Sequence, residues 1–228
     1  GMELTSYARN EISKDISNEF EIDNILNDPF FNKYLKYFKG NDYSKMLSKL
    51  SGFGSTTHVS AMDNQGNAVS VTTTNGEGCG HFIPEMGIMM NNMLGEQDLN
   101  PFGFHKWKTV RRLPSMICPM IILKNNRPEI VLGTGGSNRI RSALVQVIVN
   151  LIIKNMPLQK AIEEPRFHLE ANNLYFEPGI HIPANKNIKH LNLNPFTQKH
   201  LFFGGVNAVS KIEAIGDIRR GGIGFIWC

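Results

Sequence analysis

STTHVSAMDNQGNAVSVTTTNGEGCG, residues 55–80, is the most informative stretch of the chain. Polar and apolar side chains alternate through residues 57–62 and again through residues 68–74, the period-two pattern of half-buried β-strands. Between the two runs, residues 63–67 read DNQGN, residue types that tolerate tight or left-handed backbone. The stretch therefore predicts a β-hairpin, followed by a glycine-rich loop in which backbone can approach a ligand closely.

A pair of threonines at residues 56–57 opens the first predicted strand. On residue type alone, a threonine in this place is ordinarily a good strand former and nothing more. The pattern TTHxSxxDxxGNAVSxTxT, however, resembles the segment that opens the small subunit of the gamma-glutamyltranspeptidases. These are N-terminal-nucleophile hydrolases, made as one proenzyme that cuts itself before the first of the two threonines. The resemblance implies that Thr56 is the nucleophile and that the Ser55–Thr56 bond is the cleavage site.

Self-cleavage would supply the base that the Thr56 hydroxyl needs. A hydroxyl is a poor nucleophile unless a base lies beside it, and an amino-terminal residue carries its own base, an α-amino group with a pKa of about 8. That amine exists only after the bond before Thr56 is cut. Gly52, Gly54 and Ser55 are small and flexible, which allows the hydroxyl to attack the Ser55 carbonyl.

Three further positions complete the catalytic site that the resemblance implies. Thr74 would orient Thr56 or its amine. In the family, a GGSxRI-type turn supplies backbone N–H groups for the oxyanion of the tetrahedral intermediate, and Gly135 and Gly136 of the sequence GTGGS match that role. Such donors typically lower the barrier by about 3 kcal/mol each. The alternative is that these glycines merely allow a tight turn against a sheet.

The resemblance also implies contacts to the amino group of a substrate. Residues 87–101, GIMMNNMLGEQDLNP, match the family segment that supplies them, which assigns Asn92 and Glu96 to substrate binding. Glu96 would hold an ammonium by a charge-assisted bond, although a surface glutamate in a loop is an equal alternative. A family asparagine aligns with Gly76, and the adjacent Asn75 is the candidate to replace it.

The contacts to a substrate carboxylate are less complete. Where the family grips the α-carboxylate with a pair of serines, this chain keeps Ser115 and has Met116 beside it. A carboxylate that faces a thioether loses a hydrogen bond and is still desolvated. The sequence therefore leaves the acyl-group specificity open between gamma-glutamyl and other acyl amides.

Composition narrows the class of protein. The chain has 228 residues, of which 41% are hydrophobic and 19% charged, so that one sizeable core is expected. The net charge of +4 is spread along the chain, which disfavours nucleic acid as a partner. Three cysteines without metal-like spacing favour free thiols in a reducing compartment, so we expect a cytoplasmic protein. The histidines have no ligand spacing, so no metal is expected, and acyl transfer through a threonine needs no cofactor. The most apolar span, residues 143–153, is too short to cross a membrane.

The predicted architecture is α+β, the four-layer αββα sandwich of the N-terminal-nucleophile hydrolases, incomplete relative to the family proenzyme. Residues 1–55 form a helical segment that resembles the end of the large subunit, and residues 56–228 form the small-subunit-like catalytic domain. Strands are predicted at residues 129–132, before the turn GTGGS, and at residues 199–203. An almost wholly apolar helix over residues 138–155 should lie buried against a sheet.

The leading hypothesis for function is an amide hydrolase or acyltransferase that acts through an acyl-threonine intermediate on a small-molecule amide. A second hypothesis is an inactive or split-subunit protein that assembles with a large-subunit partner or with itself, since apolar stripes at residues 30–38 need a surface to pack on. A third is a small-molecule binding module without self-cleavage.

Overall fold

The computed structural model describes residues 56–76, 78–96, 99–100, 103–107, 112–113, 115–183 and 188–227. The predicted helical segment at residues 1–55, with Ser55 of the expected cleavage site, lies outside the described residues. Two α-helices are described, α1 (Arg139–Ile148), which continues as a π-helical segment (Val149–Ile153), and α2 (Leu158–Glu163). The strands are β1 (Thr56–Met62), β2 (Ala68–Thr74), β3 (Phe82–Ile83), β4 (Ile88–Met89), β5 (Met120–Lys124), β6 (Arg127–Gly135), β7 (Phe167–Glu170), β8 (Asn173–Phe176), β9 (Asn192–Pro195), β10 (Gly205–Ser210) and β11 (Ala214–Ile215).

The predicted hairpin is present. Strands β1 and β2 pair antiparallel, and the register places Thr56 opposite Thr74. The turn is held by Asp63, whose carboxylate accepts hydrogen bonds from the backbone N–H groups of Gln65 (2.9 Å) and Asn67 (2.8 Å). An aspartate that bonds backbone two residues on mimics a turn, and this explains why the chain reverses here.

A four-stranded antiparallel sheet forms the centre of the fold, in the order β11-β10-β6-β5. Helix α1 packs on one of its faces, and α2 adds to the same apolar layer. The core side chains that meet there are Leu132, Ile140, Ala143, Leu144, Val147, Leu158, Ile162, Val206 and Ala208.

The hairpin covers the opposite face of this central sheet. Neighbouring residues of a strand point to opposite faces, and while Leu132 lies in the core with α1, Gly133 lies under the imidazole of His58. Polar bonds join the two layers directly, since the Ser70 hydroxyl donates to the Leu132 carbonyl (3.1 Å) and the Asn207 amide donates to the His58 carbonyl (3.0 Å). The sheet thus has a helical layer on one side and the hairpin on the other.

A smaller sheet lies beyond the helices, with β7 and β8 antiparallel and β9 parallel to β8. Short 3-10 turns occur at Met93–Gly95, Leu201–Phe203 and Ile218–Arg220. The described part of the chain contains no helix with the length and hydropathy of a membrane span.

Two predicted elements are wrong in part. The predicted turn GTGGS begins too early, because β10 continues to pair with β6 as far as Gly135 and keeps residues 133–135 extended. The helix predicted at residues 138–155 is present, but it contacts the sheet with one side, and Val145, Ile152 and Ile153 are exposed.

The strand predicted at residues 199–203 is wrong. Residues 201–203 form a 3-10 turn, because the His200 imidazole Nδ1 accepts a hydrogen bond from the Phe202 backbone N–H (3.1 Å) and caps the turn. Gly204, with a φ of 77°, then redirects the chain into β10.

Candidate active site

Thr56 and Thr74 lie side by side at the open end of the hairpin. The Thr56 hydroxyl donates a hydrogen bond of 3.0 Å to the Thr74 hydroxyl oxygen. The same oxygen accepts the backbone N–H of Gly76 at 3.0 Å, which fixes its position from the other side. Both threonines are half-buried, so the pair stays accessible at the edge of the hairpin layer.

Gly135 lies directly against Thr56. A Cβ atom at residue 135 would overlap the Thr56 carbonyl oxygen and would lie 2.9 Å from its carbonyl carbon. Only a glycine allows this close approach of two backbones. The last residue of β6 and the first residue of β1 are therefore in van der Waals contact.

Gly136 joins this contact to the amino end of α1. Its φ of +142° is unfavourable for other residues, and an added Cβ would lie 2.9 Å from the Cα of Gly204. The Gly136 carbonyl accepts the N–H of Arg139, the first residue of α1, at 2.9 Å. The positive end of a helix dipole therefore lies next to the two glycines.

The loop after β2 brings three predicted substrate-binding residues together. The Asn75 carbonyl accepts the backbone N–H of Asn92 at 2.8 Å. The Glu96 carboxylate lies against Gly76, where an added Cβ would be 2.9 Å from its Oε1 atom. An asparagine at residue 76, as in the family pattern, would therefore require the Glu96 carboxylate to move, and its Cβ would also lie 3.0 Å from the backbone carbonyl carbon of Asn92. This cluster begins one residue after Thr74.

Ser115 is placed differently from the other candidates. It is exposed in the segment that leads to β5, and in the described part of the chain its hydroxyl bonds to the backbone N–H of Ile117 (3.2 Å). Met116 is half-buried and packs against the apolar core. The structure therefore does not join Ser115 to the threonine pair by any described hydrogen bond.

His58 is a buried residue of this site that the sequence left without a role. Its ring nitrogens are 2.7 Å from the Thr72 hydroxyl and 2.8 Å from the Ser60 hydroxyl. Burial lowers the pKa of His58 from 6.5 to about 4, so the imidazole is neutral near pH 7. The sequence could have placed His58 near the site, because period-two alternation puts His58 on the same face of β1 as Thr56.

A buried network of four charged side chains lies at the end of the central sheet where β10 begins. Arg166 contacts Asp217 at 2.7 Å, and Arg219 contacts Glu177 at 2.6 Å, and all four side chains are buried. Arg219 also lies 3.3 Å from Asp217, which connects the two pairs. The sequences EEPRFH and GDIRRGG, far apart in the chain, therefore meet in one cluster.

This network positions the start of β10. Asp217 accepts the Val206 backbone N–H at 3.0 Å, and the Arg166 guanidinium donates to the Phe203 carbonyl at 3.3 Å. Because β10 pairs with β6 up to Gly135, the network supports the strand on which Thr56 rests. The sequence alone gave no means of pairing these four charges.

No metal-binding group was found among the described residues: they contain no set of three or more histidine, cysteine, aspartate or glutamate side chains that could hold an ion. His168, a residue of β7, contacts the Ser142 hydroxyl of α1 at 2.8 Å. It is a buried strand residue on the helical side of the sheet.

Comparison with known proteins gives consistent matches. A sequence profile of the family described as gamma-glutamyltranspeptidase matches residues 3–226. The glutathione hydrolase proenzyme of Bacillus subtilis (strain 168) is 35% identical over 130 residues, which are 56% of this chain and 22% of that protein. The capsule biosynthesis protein CapD proenzyme of Bacillus anthracis is 29% identical over an alignment of 229 residues, 96% of this chain and 42% of that protein.

The solved structures agree in fold. Gamma-glutamyltranspeptidase from Pseudomonas nitroreducens, complexed with L-DON, superimposes with a TM-score of 0.62 at 25% sequence identity, over 75% of this chain and 100% of that chain. The chain is much shorter than the whole proenzymes, since it spans 22% of the Bacillus subtilis protein. The family profile nevertheless covers almost every residue. The chain belongs to the gamma-glutamyltranspeptidase family.

Proposed function

We propose that this chain is an amide hydrolase or acyltransferase that cuts itself before Thr56 and then acts through a covalent acyl-threonine intermediate. The observation that carries the proposal is the 3.0 Å hydrogen bond between the Thr56 and Thr74 hydroxyls, next to the glycine contact at Gly135. The relatives named as glutathione hydrolase and acylase proenzymes support the same class of reaction.

The proposed reaction has two halves. The α-amine freed at Thr56 takes the proton of its hydroxyl, and the oxygen attacks the carbonyl carbon of the amide. The proton then passes to the leaving amine as the C–N bond breaks, which leaves the acyl group on the threonine. Water or an acceptor amine then attacks the carbonyl carbon of this ester and gives a proton to the α-amine. The bond between the acyl carbon and the threonine oxygen breaks, the α-amine passes the proton to that oxygen, and the acyl group leaves as a carboxylic acid or a new amide, which regenerates Thr56.

The surrounding groups have distinct roles in this proposal. Thr74, held by the Gly76 N–H, orients the attacking oxygen. Backbone N–H groups of Gly135 and Gly136 bind the developing oxyanion, and the amino end of α1 adds its favourable dipole. The cluster beside Thr74, formed by Asn75, Asn92 and Glu96, would bind an ammonium group on the acyl donor, with the Glu96 carboxylate supplying the opposite charge. Ser115 is the proposed contact for the remaining polar end of the substrate.

The proposed cleavage before Thr56 also divides the chain into two parts. Residues 1–55 would be the propeptide-side segment and residues 56–228 the catalytic domain. The central sheet and the hairpin would be the two β layers of a four-layer αββα sandwich, with α1 and α2 in one outer layer.

Intact mass of the purified chain tests self-cleavage. The wild-type chain of 25.6 kDa should split into two fragments whose masses place the cut between Ser55 and Thr56. Thr56→Ala should stay whole and hydrolyse no gamma-glutamyl anilide. Thr57→Ala is the matched control, because Thr57 is exposed and faces away from Thr74, and it should split like the wild type. A wild-type chain that stays whole and yet hydrolyses the anilide would refute the assigned base.

A second candidate function is assembly with a partner subunit, and one observation favours it. The outward face of the hairpin is apolar, with Val59, Val69 and Val71 exposed by 59%, 52% and 45%. Exposed contiguous apolar side chains mark protein interfaces more often than free surface. In this alternative the chain would elute as a larger assembly on size exclusion with light scattering, and it would split without hydrolysing any amide.

A further inference from the structure

A row of polar side chains on one face of α1 hydrogen-bonds to strand β7. The three side chains of the helix are spaced four residues apart and therefore share that face: Asn138, Ser142 and Gln146. The first donates from its amide to the Glu170 carboxylate (2.9 Å), and the second contacts Nδ1 of His168 (2.8 Å). The third donates to the Phe167 carbonyl (2.8 Å) and accepts the Phe167 N–H (3.0 Å). These four hydrogen bonds form the α1–β7 ladder.

The middle contact of the ladder, Ser142 with His168, has the two residue types of a hydrolytic pair, but its direction excludes that role. The Ser142 hydroxyl donates its hydrogen to the Arg139 carbonyl at 3.1 Å. A hydroxyl has one hydrogen, so the Ser142 oxygen accepts the bond from His168 Nδ1–H. A serine that a histidine activates must instead donate to it. Both side chains are buried, and their contact is structural.

Asn138, at the first contact of the ladder, stands at the N-cap of α1. An asparagine in this place normally accepts a backbone N–H of the first helical turn with its side-chain oxygen. Here the side chain makes no capping bond, and Oδ1 is buried without a hydrogen bond to any described residue. Its Nδ2 instead donates to Glu170, whose side chain is only 13% exposed. The asparagine therefore serves the contact with β7 at the expense of its own helix.

The turn just before Asn138 is held in an unfavourable backbone conformation. Gly136 has a φ of 142°, and Ser137 has a φ of 50°, in the left-handed region that favours glycine. The two carbonyls accept the N–H groups of Arg139 (2.9 Å) and Ile140 (3.0 Å). A left-handed residue other than glycine persists only where its surroundings hold it in place. The hydrogen bond from Asn138 across to β7 supplies such a hold from outside the helix.

We propose that Asn138 and Glu170 are positioning residues, whose hydrogen bond keeps the N–H groups of Gly135 and Gly136 directed at the oxyanion. This rests on the proposed acyl transfer at Thr56. N–H donors lower the barrier when they meet the place where negative charge develops, and a misplacement of about 1 Å costs about 100-fold in rate. A bond to a carboxylate is stronger than a neutral pair. Glu170 thus acts through Asn138, and Asn138 acts through the turn.

Glu170→Ala should lower kcat for a gamma-glutamyl anilide by about 10- to 100-fold and leave KM unchanged, because oxyanion donors act in the transition state. The rate is taken per cleaved chain, counted by intact mass, so that incomplete self-cleavage does not enter. Glu170→Gln should keep most of the rate, since its amide oxygen can accept the Asn138 N–H. Asn138→Ala should match Glu170→Ala, and the double variant should lose no more than either single variant.

Gln146→Ala is the matched control, because it breaks two hydrogen bonds of the same ladder at about two helical turns from Asn138. It should lower the midpoint of urea unfolding, as Glu170→Ala does, and leave kcat unchanged. A merely structural ladder would lower kcat equally in both variants. That result would overturn the proposal, as would an unchanged kcat in Glu170→Ala. If Glu170→Ala fails to fold, Asn138→Ala gives the same comparison.

Nitrogen-15 spectra separate this inference from the proposed function, because they report the Gly135 and Gly136 N–H groups without any turnover. If the wild-type chain hydrolyses no anilide, but Glu170→Ala shifts both glycine resonances and Gln146→Ala does not, the positioning role stands and acyl transfer fails. If the wild type hydrolyses anilides and Glu170→Ala changes neither the resonances nor kcat, acyl transfer stands and the positioning role fails. A wild-type chain that hydrolyses no anilide, together with unchanged glycine resonances in Glu170→Ala, contradicts both.

Discussion

The two faces of the central sheet are built on opposite principles. On the helical face, Leu132, Val206 and Ala208 meet apolar side chains of α1 in a dry core. On the hairpin face, polar side chains of β1 and β2 bond to backbone carbonyls, and glycines allow the backbones to approach closely. The valines of the hairpin point away from the sheet. The helical face therefore stabilises the fold through apolar burial. The hairpin face buries less apolar surface and instead holds the Thr56 hydroxyl in a fixed position.

The largest effect is expected from Gly135→Ala. Its methyl group would overlap the Thr56 carbonyl and push β1 away from β6. A displacement of about 1 Å costs about 100-fold in rate, and misplacing the backbone N–H groups proposed to bind the oxyanion costs up to about 1000-fold. We therefore expect self-cleavage and anilide hydrolysis to fall by about 100- to 1000-fold, measured by intact mass over time and by absorbance. If Gly135→Ala cleaved itself and hydrolysed the anilide at wild-type rates, the close backbone contact on the hairpin face would not be needed to position Thr56.

Leu132→Ala tests the helical face at a neighbouring position of the same strand. Leu132 is fully buried against α1, so truncation should lower the free energy of unfolding by about 2–5 kcal/mol. The measurement is urea denaturation followed by circular dichroism. Self-cleavage of the folded fraction should proceed normally, because Thr56 lies on the other face. A variant that keeps its stability but no longer splits would reverse the assignment of the two faces.

Acid should lower the stability of the fold through two buried histidines, His58 on the hairpin side and His168 on the helical side. Burial lowers the pKa of His58 to about 4, and burial, with Arg139 and Arg141, lowers the pKa of His168 to about 3. The unfolded chain takes up these protons near pH 6.5, before the folded chain does, so stability falls as the pH falls below 6.5. The loss from His58 should reach about 2–3 kcal/mol by pH 4.

His58→Gln should flatten the pH dependence between 6.5 and 4, and His168→Gln should flatten it from 6.5 down to about 3. Thermal unfolding at a series of pH values measures both slopes. A wild-type chain whose stability is constant between pH 6.5 and 4 would contradict the neutral, buried state of these imidazoles.

The smallest effect is expected on the outer side of the hairpin. Val59→Thr and Val71→Thr should each change the free energy of unfolding by less than about 0.5 kcal/mol, because both valines are exposed. Val131→Thr is the matched control, since Val131 is fully buried under the hairpin and should cost about 1–3 kcal/mol. Equal losses at Val59 and Val131 would mean that the outer valines are covered in solution, as the assembly hypothesis requires.

The hairpin was predictable because its information is local. Alternation fixed both strands, and DNQGN fixed the turn between them. The same pattern identified the side chains that share a face with Thr56, but it could not say which face points inward. Hydrophobicity would place the valines inside, whereas the structure places His58 inside and Val59 outside.

Other parts were beyond local reasoning. The 3-10 turn at residues 201–203 depends on a histidine cap that competes with strand pairing. The four charges of the buried network come from three segments, and Arg166 and Arg219 are 53 residues apart. Nothing in the local sequence around Arg166, Glu177 or Arg219 predicts which charges pair.

The amino-acid sequence by itself determined the family, the hairpin and the candidate nucleophile, because motif residues and period-two alternation act over a few neighbouring positions. Tertiary structure alone decided that Gly135 meets Thr56, that Glu96 lies against Gly76, and that Arg220 lies on Gly205. These contacts join residues that are distant in the chain, and their geometry follows from strand register and sheet stacking, which set where backbones meet only once the whole core has packed.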